Sequence, residues 1–509
     1  MQISALRNYN VKVINLSNRI EKVIVVGRDA DAWLTALMLQ LSFANSEKTL
    51  KVELIELPSK LHPQDYYSVL PSHKAMHKML GIDEHSLLRA SSGLYALAQR
   101  FSNWSPSHTF MHAYDTHGIG FSNIDFFQYW LKASAKGLNV PLEDFSLGAV
   151  AAKQGRFVVL DDAAESFSKA THGYHLSALP YLKVIASAAI NAGVTHHISD
   201  IKSIDATSDA VRSIRLQDDT LVEGDLYIDA TGSDAALISL FDQGEHENWQ
   251  AWFPCDRVIT ASSPLLNPSP AFSQIAAFAK GWIGFFPLLN RTAVAAVYSS
   301  KHTEHSEIIR NLQAIPGIKL DGAIEKPFSV SARKKQWIGN CIALGSAAVN
   351  LDPLDATHMH MLDVGLSLLR TLFPVDKTAM KEAAIFNEKM YWHATNARDF
   401  QITHYKLNKR FGEPLWDEVR DMEIPATLNE KFALFKARGR VAMQEHETFQ
   451  EESWTSIFVG HGLQPITYDP LVDNMPEQEQ IEHFQKILKY IAGEIQSMPS
   501  LQAYVEMNA

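Results

Sequence analysis

Apolar residues run unbroken from Val23 to Val26 and stop at Gly27, the pattern of a short buried strand entering a turn. The turn, Gly27 to Ala32, gives way to helical spacing from Trp33 to Phe43, with Leu34, Leu37, Met38 and Leu41 on one face. A second strand, Lys51 to Ile55, ends in Glu56. This β-turn-α-β order predicts the first half of a Rossmann unit, where an acid closing the second strand accepts hydrogen bonds from ribose hydroxyls. Leu179 to Ala192 reads as a helix, and Gly224 to Gly232 as a strand running into a glycine turn. Short β-like runs between about 90 and 125 and between 253 and 335, such as Thr292 to Ser300, predict a separate sheet. The apolar strand ending at Gly345 leads through the polar loop Asp352-Pro353-Leu354-Asp355-Ala356-Thr357 into a long helix from about His358 to Phe373. After Pro374 the pattern becomes charged, aromatic-rich amphipathic helices, with stop signals at Gly412, Pro414, Pro425, Gly439 and Gly462. The expectation is α/β: an N-terminal extension over 1–20, a Rossmann-like module over 21–374 with an inserted sheet, and a mostly helical cap over 375–509. Within the module, about 21–90, 175–250 and 335–374 form the nucleotide part, and about 90–175 and 250–335 the sheet.

Composition narrows the classes. The chain has 509 residues, 46% hydrophobic and 20% charged, enough for one large or two to three ordinary domains with a packed core. Its 46 basic and 57 acidic residues give a formal charge of -11 with no long Lys/Arg block, so no nucleic-acid partner is expected. Cys255 and Cys341 are too few for a disulfide scaffold, and both fit a reducing cytoplasm. Met1 to Glu21 lacks the apolar core of a signal peptide, and no run of about 18 apolar residues suggests a membrane span. A monomer and a homodimer remain equally open.

The 339–357 segment presents backbone N–H groups and a helix N-terminus to an anionic or polar group. Asp355 and Thr357 stand just before that helix, where such residues are also ordinary N-terminal caps. His358 and His360 are two residues apart and point to different faces of a helix; with no His-Glu-x-x-His or Cys-x-x-Cys spacing elsewhere, no metal is expected. Neither a Gly-x-Ser-x-Gly elbow nor a Walker loop is present.

The ordered runs Val25-Val26-Gly27 with Ala32-Trp33, Tyr174-His175, Asp229-Ala230-Thr231-Gly232, Gly281-Trp282 to Pro287-Leu288, Arg398-Asp399-Phe400, His404-Tyr405-Lys406 and Glu452-Ser453-Trp454 resemble the flavin-dependent halogenases, the tryptophan halogenase group. The loop at Asp352 is similar to that family's Glu-Pro-Leu-Glu-Ser-Thr. The resemblance implies a Rossmann-like FAD-binding module of the flavin monooxygenase type, with a substrate-binding sheet and a helical C-terminal cap. It further implies reduced FAD from a separate flavin reductase, oxygen, halide, and an electron-rich aromatic substrate (indole, pyrrole or phenol), free or carrier-bound. By position, Gly27, Arg28, Ala32, Glu56, Asp229, Gly232, Gly345, Asp352 and Pro353 would bind the cofactor. Asp355 and Thr357 would be catalytic, and Trp282, Phe449 and Trp454 would meet the substrate.

Several positions depart from the family pattern. Asp29 stands at the second position of the glycine fingerprint, where bulk and negative charge beside a phosphate predict weakened FAD binding. The family's halogen-carrying lysine falls at Ala96; Lys74 and Lys78 lie upstream on a predicted helix, Ser72 to Leu80. The second Trp of the family's Trp-x-Trp stretch is Gly284, a space that Phe285 or Phe286 would refill. Three readings follow: a divergent halogenase with Asp355 as base, a flavin-dependent hydroxylase, and a non-catalytic relative that binds an aromatic molecule.

Overall fold

The computed structural model describes residues 18–44, 50–106, 108–159, 171–241 and 246–508. Most of the extension expected over 1–20 lies outside them. The nucleotide half is a six-stranded sheet of β1 (Lys22–Gly27), β2 (Lys51–Glu56), β3 (Thr195–Ile198), β4 (Leu226–Ala230), β5 (Trp337–Ile338) and β6 (Cys341–Ala343), in the order β5-β6-β4-β1-β2-β3. All pairings are parallel except β5 with β6. Val23 to Val26 and the whole of β4 are buried, as continuous apolar runs must be when both sheet faces are covered. Gly27 is needed for strand packing, since a Cβ there would stand 2.2 Å from the Ala230 carbonyl oxygen.

Helix α1 (Asp29–Ser42) starts four residues earlier than its apolar face suggests, and Ala30 to Leu39 are buried without interruption. It packs against β2 and against the helix Ala178–Asn191. The second large sheet has seven strands in the order 321–327, 257–263, 292–298, 281–287, 272–278, 98–105, 108–113, antiparallel except for the pair 272–278 with 98–105. Strands 281–287 and 292–298 are buried at every position. A three-stranded sheet, 66–69 with 173–177 and 94–96, joins the two halves.

Helix α2 (Thr357–Thr371) follows the 350–356 loop, and the chain then turns helical: α3 (Glu382–Lys406), α4 (Ala426–Arg438) and α5 (Glu451–Gly460) are the parts that reach the site. Residues 396 to 405 of α3 are buried on every side, so this helix passes through the interior. One contiguous core runs from β1 to the last helix, with a smaller one beneath helix His305–Gln313. Among the described residues, no helix is long and apolar enough to cross a membrane.

Candidate active site

The loop before α2 holds two consecutive non-glycine residues in the left-handed region, Asp355 (φ 62) and Ala356 (φ 56). Such a pair costs about 1–2 kcal/mol per residue and persists only where its surroundings over-determine it. The restraint is Gln401 on α3, whose Nε2 donates to the Asp352 carbonyl (2.9 Å), the Leu354 carbonyl (2.7 Å) and Thr357 Oγ1 (3.2 Å). The N-cap of α2 is Ala356, with no side-chain cap. Asp355 is therefore not a helix cap. Its carboxylate turns inward, wholly buried.

There it meets a set of polar atoms without protein partners among the described residues. His404 Nε2 on α3 lies 3.3 Å from Asp355 Oδ2, out of line for a hydrogen bond, and both Asp355 oxygens are unpaired. Nδ1 of His404 shares a 3.0 Å hydrogen bond with Nε2 of His461. Both ring nitrogens of His112 and the Tyr114 hydroxyl are also unpaired. Burial lowers the His112 pKa to about 4 against the opposing pull of Asp355, so its ring is neutral at pH 7. Aromatic rings complete the chamber. Phe101 stacks on His404 at 4.6 Å, and Phe400 lies 5.8 Å from His112. Phe449 stacks on Phe400 at 3.7 Å, with Trp454 edge-on at 4.9 Å. A cavity of about 530 Å³ is lined in part by His108, Phe110, His117 and Gly460, and its Phe110 stacks on Phe101 at 5.1 Å. Buried polar atoms are nearly always paired, so such a cluster marks a place for a guest molecule or water.

No lysine reaches this chamber from the expected positions. Ala96 is buried, paired with Gly173 in the small sheet. Lys74 lies 3.3 Å from His172 Nδ1 and 3.9 Å from Glu84, and Lys78 is exposed. Lys431, fully buried 5.0 Å from the Trp454 ring centre, is neutralised by Glu447 and donates to the Ala442 carbonyl at 2.7 Å.

The other expected site residues fall into two groups. Asp352 is tied to the helical region, its Oδ2 accepting from the Tyr405 hydroxyl (2.8 Å) and Oδ1 from the Leu354 amide (3.1 Å), and it lines a cavity with Tyr67 and His358. Burial, with a further push from Asp355, raises its pKa to about 7. Pro353, next to it, walls a cavity of about 270 Å³ shared with Tyr66, Tyr67, Lys326 and His358. Trp282 donates to Tyr405 at 3.2 Å and is fully buried. Phe286 refills the space beside Gly284, where a Cβ would stand 2.4 Å from its ring.

At the nucleotide crevice, Asp229 holds the loop after β4, accepting from the Thr231 amide and hydroxyl and the amides of Leu237 and Ile238. Gly232 (φ 74) and Gly345 (φ 59) use the left-handed region that glycine permits. Glu56 accepts from Trp33 Nε1 at 3.0 Å, and Ala32 is buried. Arg28 donates to the Thr231 carbonyl (2.7 Å), Asp234 (2.6 Å) and the Pro58 carbonyl (3.1 Å).

His112, Tyr114, Gln401 and His461 were not singled out from sequence. Alternation in strand 108–113 puts His108, Phe110 and His112 on one face, and a histidine on an inward face is the signal that could have found His112.

A Rossmann sheet, a seven-stranded sheet and a helical region closed over a buried carboxylate define the scaffold of the flavin-dependent halogenases. The chain belongs to the tryptophan halogenase family, whose sequence profile matches residues 22–477. It is similar to BrvH, a flavin-dependent halogenase from Brevundimonas sp. BAL3, at 29% identity and TM-score 0.91, over 96% of this chain and 99% of that one. A flavin-dependent halogenase from Xanthomonas campestris is similar at 26% identity, TM-score 0.91 and the same coverage. Tryptophan 7-halogenase RebH from Lentzea aerocolonigenes is 22% identical over 96% of this chain and 99% of its own length.

Proposed function

We propose that this chain has kept the aromatic chamber of the flavin-dependent halogenase family as a binding site and carries no halogen-transfer chemistry of its own. The observation behind this reading is Ala96, a methyl group in a buried strand at the family's lysine position, with no ammonium group in its place. The ligand is a flat, electron-rich aromatic bearing an N–H or O–H, an indole, pyrrole or phenol, free or on a carrier. Its N–H donates to Asp355, neutral His112 offers both a donor and an acceptor, and Phe400, Phe449 and Trp454 supply the apolar walls. Two buried free thiols, Cys255 and Cys341, suit a reducing cytoplasm.

A second reading, a halogenase or hydroxylase, is favoured by one observation. Asp355 keeps two unpaired carboxylate oxygens beside His404, which suits a base that takes a proton from the ring carbon under attack. The test is calorimetric titration with indole, tryptophan and phenol, together with product analysis in the presence of a flavin reductase, FAD, oxygen and bromide or chloride. The expected result is binding that Asp355→Asn weakens at least about tenfold, the share of one charge-assisted hydrogen bond, with no halogenated or hydroxylated product. Product formed by the natural chain would overturn the proposal and establish the second reading.

A further inference from the structure

We infer that the phosphate end of this chain's Rossmann crevice is filled by its own side chains and excludes FAD and other dinucleotide diphosphates. In open α/β sheets such a ligand lies outside the carboxyl ends of the strands where the order reverses, its phosphates on the N-terminus of the first helix. Here that place is between β1 and β4, at the start of α1. Three of the chain's own groups occupy it.

The Tyr67 ring stacks at 6.3 Å on His358, the residue that Asp31 engages. Asp31, 7% exposed, places one carboxylate oxygen 3.0 Å from His358 Nε2 and the other 3.4 Å from the Ser346 amide. It presses so closely on the second glycine turn that a Cβ at Gly345 would stand 2.0 Å from Oδ2. Asp29, at φ 59 where the fingerprint requires glycine, reaches across to the loop after β2 and accepts from the Ser59 hydroxyl and, at 3.4 Å, from the Lys60 amide.

Charge works in the same direction as bulk. A diphosphate would meet two carboxylates in the first helical turn, and Arg28, the cation that could offset them, already pairs with Asp234, as does Lys60 at 2.7 Å. The Asp234 and Lys60 side chains are 42% and 59% exposed, so this outer tie is weak and yields readily. Asp31 lies deeper and is the group that excludes the ligand. The inference is independent of Ala96 and of the chamber around Asp355.

The experiment is fluorescence and absorbance titration of the full-length protein with FAD, for the natural chain and for an opened variant, Asp29→Gly with Asp31→Ala and Tyr67→Phe. Circular dichroism and the melting curve verify that the variant is folded, and the single Asp31→Ala variant serves where the triple does not fold. The expected result is no saturable FAD binding by the natural chain and saturable binding by an opened variant, a gain of at least about a hundredfold in affinity. Saturable binding by the natural chain overturns the inference. So does a folded opened variant that still fails to bind, because these side chains would then not be what excludes the cofactor.

Discussion

Replacing Asp352 with asparagine should have little effect on stability at pH 5 and a large stabilising effect at pH 8. The folded protein holds the Asp352 proton up to about pH 7, because burial and the neighbouring Asp355 disfavour the charge, whereas the unfolded chain releases it near the ordinary 3.8. Between these values the native state binds more protons than the unfolded state, so this group lowers stability as pH rises from about 4 to 7. At about 1.4 kcal/mol per tenfold change in proton affinity, the interval amounts to roughly 4 kcal/mol. Asparagine removes this ionisation but can accept from only one of the Tyr405 hydroxyl and the Leu354 amide, a loss of about 1 kcal/mol. Somewhat under 2 of those roughly 4 kcal/mol are already lost by pH 5, so Asp352→Asn is expected to lie within about 1 kcal/mol of the natural chain at pH 5 and to be about 3 kcal/mol more stable at pH 8. Urea unfolding followed by tryptophan fluorescence at both pH values measures this difference, with midpoints compared because a chain of this size need not unfold in one step. His112, whose pKa Asp352 does not perturb, contributes alike to both proteins and cancels. An equal difference at the two pH values would refute the reasoning and place the Asp352 pKa in the ordinary carboxylate range.

Lys431→Met should destabilise the helical region by about 3–5 kcal/mol, because it strands buried Glu447, while the double change with Glu447→Leu should recover most of the loss; a urea double-mutant cycle measures both. Ala356→Gly should stabilise by about 1 kcal/mol by relieving a left-handed alanine, read as a higher unfolding midpoint. Phe449→Ala should cost about 3–5 kcal/mol through the cavity left against Phe400, and in calorimetry it should also weaken aromatic ligands.

The two apolar strands of the first Rossmann unit were readable because each is a short buried run closed by Gly27 or Glu56, a pattern that needs no knowledge of distant residues. The start of α1 was not, since Asp29 and Asp31 look like turn residues, and their place in the helix is set by β4 and the Gly345 turn, 200 and more positions away. Asp355 stood out from its loop, yet its role as a cap or as an inward carboxylate depended on Gln401, a residue on α3 that no local spacing connects to it. His112 and His404 come from a strand and a helix nearly 300 residues apart, and Asp355 approaches them from a third element. Periodicity can say that such side chains face inward; it cannot say that they face one another. Phe286 is the converse case, because a void beside Gly284 in a packed sheet leaves a neighbouring ring little choice but to fill it.

Helix α3 is about 37 Å long at 1.5 Å per residue. Near its first turn Asn387 exchanges two hydrogen bonds with the Trp337 backbone at the edge of the nucleotide sheet, and at its far end Lys406 holds the Arg420 and Met422 carbonyls. Gln401, His404 and Tyr405 sit between these anchors. The helix is thus a strut pinned at both ends, and the walls it contributes to the chamber cannot swing as the jaws of a hinged enzyme do. If the proposed ligand binds at Asp355, its recognition therefore rests on shape and hydrogen-bond match, not on closure of this helix around it.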